Sequence, residues 1–281
     1  MDSLWSHPAV QSGIVPFIVA LVVLLVFGKT RPKLTGLAAI SAFTVTVGMV
    51  MGFSLAPFTS TKKILVMAYL VAAIGLFVDV TANKQEKYRN YLLVTFAAIA
   101  VAGLLWVIWP VVSREGSQYS VLNVLGLCSY VAWMVVGISM ASGHQEKSST
   151  AVFALAFGTA VVCVLGATVL YGQLAAPFAA ATGAWFLYYI LASQQGVFPA
   201  GFYLTSAVVC AILGAAATVY ASLDWNALAI FALIPLTQWI PSKSHRAVWV
   251  KLLQSGVTTL IPALAAIGYA IHQSADSGYY G

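Results

Sequence analysis

Charge is what this sequence lacks. Of its 281 residues only 7% are Asp, Glu, Lys or Arg, while 61% are hydrophobic. An ordinary soluble domain is about 25% charged, so most of the chain is expected in lipid. The acids are Asp2, Asp79, Glu86, Glu115, Glu146, Asp224 and Asp276, and all but Asp79 fall at termini or in turns. No acidic cluster is available for a metal. Histidine is equally unhelpful to a cofactor: His7, His144, His245 and His272 sit in turns or near the ends of apolar runs. None lies at mid-membrane depth to ligate haem, chlorophyll, copper or a di-iron pair.

Cysteine is scarce and scattered. Cys128, Cys163 and Cys210 lie inside apolar runs without a Cys-x-x-Cys pair, so neither a disulfide framework nor a metal site is implied. Walker and Gly-x-Gly-x-x-Gly loops are absent, and no Ser-His-Asp set can be assembled at one depth. No enzyme, cofactor or metal is expected. The bilayer interior offers no ladder of charges, which disfavours a cation pump driven by membrane potential. The N-terminal MDSLWSHPAVQSG lacks a basic region, and the first apolar run ends at Gly28-Lys-Thr-Arg31 with no small-residue cleavage site. That segment is expected to be retained.

Long apolar runs are what the chain has instead. The stretch from Ile64 to Tyr91 sets the pattern: an uncharged run to Val78, then Asp79, then a turn carrying Lys84, Lys87 and Arg89, then a second run. Lipid forces each backbone to satisfy its own hydrogen bonds, so the pattern reads as a transmembrane hairpin. Ten such runs span approximately 12–28, 35–56, 63–80, 91–112, 120–141, 150–172, 175–194, 199–222, 226–241 and 248–272. The fold class is therefore all-α: a polytopic integral membrane protein of about ten helices joined by short turns. It is one domain over 1–281, with a short extracytoplasmic segment 1–11 and a tail 273–281. The seventh and ninth runs are the weakest spans, the ninth being short and interrupted by Pro235.

Basic residues orient the chain. Turns after odd-numbered runs hold Lys29, Arg31, Lys33, Lys84, Lys87, Arg89, Lys147, Lys243, Arg246 and Lys251. Turns after even-numbered runs hold only Lys62, Lys63 and Arg114. The positive-inside rule then puts both termini outside the cytoplasm, in a cell membrane that would be the inner membrane of a Gram-negative source. The net charge of +6 is read as facing anionic headgroups, with no nucleic-acid partner. Even-numbered runs begin near Gly36, Tyr91, Ala151, Gly201 and Lys251, a weak two-helix period that any chain of tightly joined spans also shows. A division into two inverted halves of five runs competes with it.

Few residues could carry chemistry. Asp79 is the one acid beside a span, either an interfacial group pairing with Lys84 or an ion-coupling carboxylate. In Ile234-Pro-Leu-Thr-Gln-Trp-Ile-Pro241, Pro235 is expected to strip carbonyls near Phe231 and Ala232 of their donors. A broken helix of this kind could build a binding site with Thr237, Gln238 and Trp239, or simply end in an interfacial cap. Asn123 is a further polar candidate for a solute path. Thr44, Thr46, Thr159, Thr168, Thr258 and Thr259 read as packing hydroxyls, as do the small residues of Gly158 to Gly166 and Gly214 to Ala217. Trp133, Trp185, Tyr188 and Tyr189 lie deeper than the interfacial aromatic belt. Two functions fit. One is a permease or channel for a small neutral or weakly polar solute, which requires a water-accessible cavity at Gln238 and Pro235. The alternative is a non-catalytic subunit or scaffold, packing against lipid, other membrane proteins or further copies of itself.

Overall fold

A chain with no water to bond must close its own backbone ladder, and helices do so in every apolar run. In the computed structural model, which describes residues 7–54, 56–81, 89–114, 119–140, 144–192, 198–241 and 248–276, the helices are α1 (Val15–Phe27), α2 (Leu37–Val50), α3 (Ser60–Thr81), α4 (Arg89–Val112), α5 (Val121–Met140), α6 (Gln145–Gly166), α7 (Val169–Leu191), α8 (Ala200–Tyr220), α9 (Trp225–Phe231) and α10 (Val248–Asp276). A π-helical turn, Val10–Ile14, leads into α1, and 3-10 turns occupy Pro32–Gly36 and Pro235–Trp239. Among the described residues, nine helical segments are long and apolar enough to cross a membrane. The protein is a polytopic membrane protein.

Two details differ from the sequence reading. The sixth and seventh helices part at Ala167 and Thr168, because Thr168 takes an extended conformation and its Oγ1 accepts the Leu170 N–H at 3.3 Å. Pro177, read as lying at the start of a span, is instead inside α7. The ninth run is interrupted at Pro235 as expected, forming α9, a turn and a 3-10 coil.

That ninth segment still runs from one face of the bundle to the other. At its start, Asn226 Nδ2 donates to Tyr269 Oη near the C-terminal end of α10, and Asp224 accepts from Gln273. At its end, the Gln238 carbonyl accepts from Lys147 in the first turn of α6. Thr150 and Ser255, with hydroxyls 2.6 Å apart, place the beginning of α10 at that same face. Among the described residues, the nine long segments and this one therefore bring both ends of the chain, His7 and Asp276, to one face of the bundle, here the terminal face.

α8 is the axis. From Gly201 to Val219 every residue is buried, as an all-apolar helix within a bundle should be. Its serine and threonine hydroxyls are satisfied within the helix: Thr205 donates to Gly201 O at 2.6 Å, Ser206 to Phe202 O at 2.9 Å and Thr218 to Gly214 O at 3.3 Å. Helices α2 to α7 all pack on it. The small residues noted in the sequence do allow close contact, since Gly158 lies beneath Phe231 and Gly214 beneath Leu228.

Candidate functional site

Proline organises the polar chemistry here, because each one deprives the carbonyl four residues earlier of its donor. Pro110 lies inside α4 and so frees Trp106 O, which accepts from Lys63 Nζ of α3 at 3.0 Å. Pro235 frees Phe231 O, which instead takes the Ile234 N–H at 2.9 Å in a tightened turn. Ala232 O is met from α5 by Trp133 Nε1 at 2.8 Å. The Pro235 ring rests on Gly137 of α5, where a Cβ would overlap it. Lys147 Nζ closes the segment, donating to Gln238 O at 2.7 Å and Ile240 O at 2.8 Å. The carbonyls expected to lie open at the break are thus partnered.

One group there is not. Gln238 is 6% exposed, and its Oε1 has no hydrogen-bond partner. Its Nε2 makes only a long 3.4 Å contact to Thr237 Oγ1, which itself donates to Ile234 O. Trp239 is 65% exposed, consistent with an interfacial indole.

The six candidate residues do not converge. Pro235, Thr237, Gln238 and Trp239 are neighbours in one segment. Asn123 lies in the first turn of α5, where its N–H donates to Ser120 Oγ at 3.3 Å. That turn belongs to the terminal face, to which Tyr119 is tied through Thr218 and Val219, while Gln238 is near the opposite face. Asp79 occupies a third place. Its Oδ1 accepts the Ala200 N–H and its Oδ2 the Gly201 N–H, both at 2.7 Å. The carboxylate thereby caps the positive end of α8 from another helix. Gly36, Gly75 and Gly201 make room for it: a Cβ on Gly75 would stand 2.6 Å from the Gly201 Cα, and one on Gly201 would stand 2.9 Å from Asp79 Oδ2. Lys33 caps the end of α3 through Val80 O at 3.1 Å, and Lys84 lies outside the described residues. Tyr188 and Tyr189 are both buried, the latter stacked on Trp185 with its hydroxyl 3.5 Å from Glu146 Oε1.

A well-formed open space lies elsewhere. A groove of about 880 Å³ runs between α1 and α6 with α7 as its floor. None of the six candidates lines it. Its walls are Ala, Val, Leu, Ile, Phe, Pro and Gly, and its polar side chains are Ser12 and Gln173. The sequence carried a partial signal in the small residues Gly172, Ala176, Ala180 and Gly183. It could not show that the face they form borders a groove, with Gly172 itself packed on α6 against Ala160 and Val164. No family model, no curated protein and no solved structure matches the chain.

Proposed function

We propose that the protein is a non-catalytic membrane scaffold that works by lateral association, receiving an apolar membrane component on the flank of α1, α6 and α7. The observation that carries this reading is the groove: it is apolar and opens sideways, while the axis of the bundle at α8 is filled by side chains. A solute crossing the membrane needs polar groups along its way. Most of the interior hydroxyls instead bond back to their own helix, or between α6 and α10. The basic face, with Lys29, Arg31, Lys33, Lys147 and Lys251, faces the cytoplasm in this reading. Extraction of native membranes into nanodiscs, followed by native mass spectrometry, tests it. A stoichiometric lipid or membrane-protein companion is expected, and a bare chain would refute it.

A permease for a small neutral solute is the second reading, and one observation favours it. The buried Gln238 Oε1 has no donor, and it lies at the interrupted crossing. Solute-dependent flux in liposomes that Gln238→Ala abolishes would establish that reading in place of the first.

A further inference from the structure

Resting on the reading of that flank as the working surface, we propose that the groove holds one acyl chain of a membrane phospholipid, with the headgroup at the terminal face. Length selects this occupant. The floor runs along α7 from Val169 to Gly183, about 21 Å at the rise of an α-helix. The α6 wall runs from Leu165 only to Phe153, and the α1 wall from Pro8 only to Phe17. The α7 and α6 walls end about two-thirds of the way along their helices and the α1 wall about halfway, so all three stop short of the far face. A partner transmembrane helix would need the full hydrocarbon depth of about 30 Å, whereas one leaflet's chain needs about half of that.

Polarity is graded along the same line. Ser12 and Gln173 lie toward the terminal-face end, and beyond them the lining is apolar, with Phe153 and Phe157 stacked 5.8 Å apart at the deep end. Pro177 leaves the Gln173 carbonyl without its helical donor,. The Gln173 amide is placed to donate to a glycerol ester oxygen. Among the described residues no charged side chain lines the groove, so the tail and the ester region supply the recognition, and headgroup charge does not.

The test uses the full-length purified protein in detergent, with phosphatidylcholine or phosphatidylglycerol added, and counts retained lipids by native mass spectrometry. Gly183→Leu fills the deep end: its Cβ would meet only the Phe17 ring, at 3.7 Å, which is ordinary contact. Gly13→Phe fills the groove from the α1 wall, where nothing lies within 4 Å. Gly268→Leu adds similar bulk on α10, also with nothing within 4 Å, and serves as the control. Wild type and Gly268→Leu should keep one lipid of either class through washing and high salt. Both groove variants should bind it about tenfold or more weakly, since several methylenes lose their contact. Undiminished retention in the groove variants, or retention of phosphatidylglycerol alone, would overturn the proposal. If Gly183→Leu instead sheds a co-purifying membrane protein and leaves the lipid count unchanged, the acyl-chain assignment fails while the lateral-association reading survives. If wild type carries neither companion, both fail.

Discussion

At the scale of single residues, the bundle is closed by donors that reach across helices to carbonyls the local backbone has abandoned. Trp133 is the clearest case, because Ala232 O has no water to turn to in hydrocarbon. Trp133→Phe keeps most of the ring and removes the N–H, so thermal unfolding in detergent should show a loss of about 1–3 kcal/mol. Lys63→Met should lose less, since Trp106 O lies near headgroups that can replace the donor. Asp79 supports a sharper prediction. Asparagine can accept only one of the two N–H groups of Ala200 and Gly201 and turns its own NH2 on the other, so Asp79→Asn should destabilise by about 1–3 kcal/mol. A carboxylate whose business was ion coupling would instead lose coupled flux with its stability intact. The prolines that free these carbonyls are legible in the sequence. The donors are not, since Lys63 is 43 residues from Trp106 and Trp133 is 99 from Ala232. Only the tertiary fold brings them together.

At the scale of elements, the apolar runs announce their helices, and the break in the ninth run falls where Pro235 puts it. The boundary between α6 and α7 is harder, because both sides are uninterrupted apolar sequence. Thr168 is the marker the sequence offers, a hydroxyl residue suited to an N-cap, whereas Pro177 sits inside α7 without ending it. α10 shows what periodicity encodes in lipid: Trp249, Leu253, Val257, Ile261 and Leu264 point outward, while Leu252, Ser255, Thr259, Ala263, Ala266 and Ala270 face the bundle. The inner stripe meets α6 through Thr150 and Ser255. Ser255→Leu should push α10 off α6 and lower the yield of folded protein on size-exclusion chromatography, whereas Leu253→Ser on the outer stripe should leave the elution profile unchanged. The contact of α3 with α8 is less forgiving. Gly75→Leu would drive a side chain into the Gly201 backbone, and the expected outcome is loss of the folded species.

At the scale of the whole molecule, the hairpin order read from the sequence survives, but the hairpins are not placed alike. α8 is buried all round, while α4, which holds the equivalent place in its own hairpin, leaves Val94 and Trp109 exposed. A fifty-residue period carries no information about which helix becomes the axis. The groove was hidden for the same reason: whether the small residues of α7 line an open space depends on where α1 and α6 settle. Sidedness is open to a direct check. With the three cysteines replaced, Ala275→Cys should react with a membrane-impermeant maleimide in intact cells, and Thr30→Cys only after permeabilisation. The reverse labelling would invert the assignment of the basic face.

The position of α8 also bears on biogenesis. Six of the helices that wall it in, α2 to α7, precede it in the chain, so during synthesis they must gather around a hole. Until Ala200 and Gly201 leave the ribosome, Asp79 has no helix end to cap, and Gly36 and Gly75 lack the backbone they pack against. A nascent chain stalled before that point presents an uncapped carboxylate at the end of α3, a feature by which the quality-control machinery could tell an unfinished copy from a finished one.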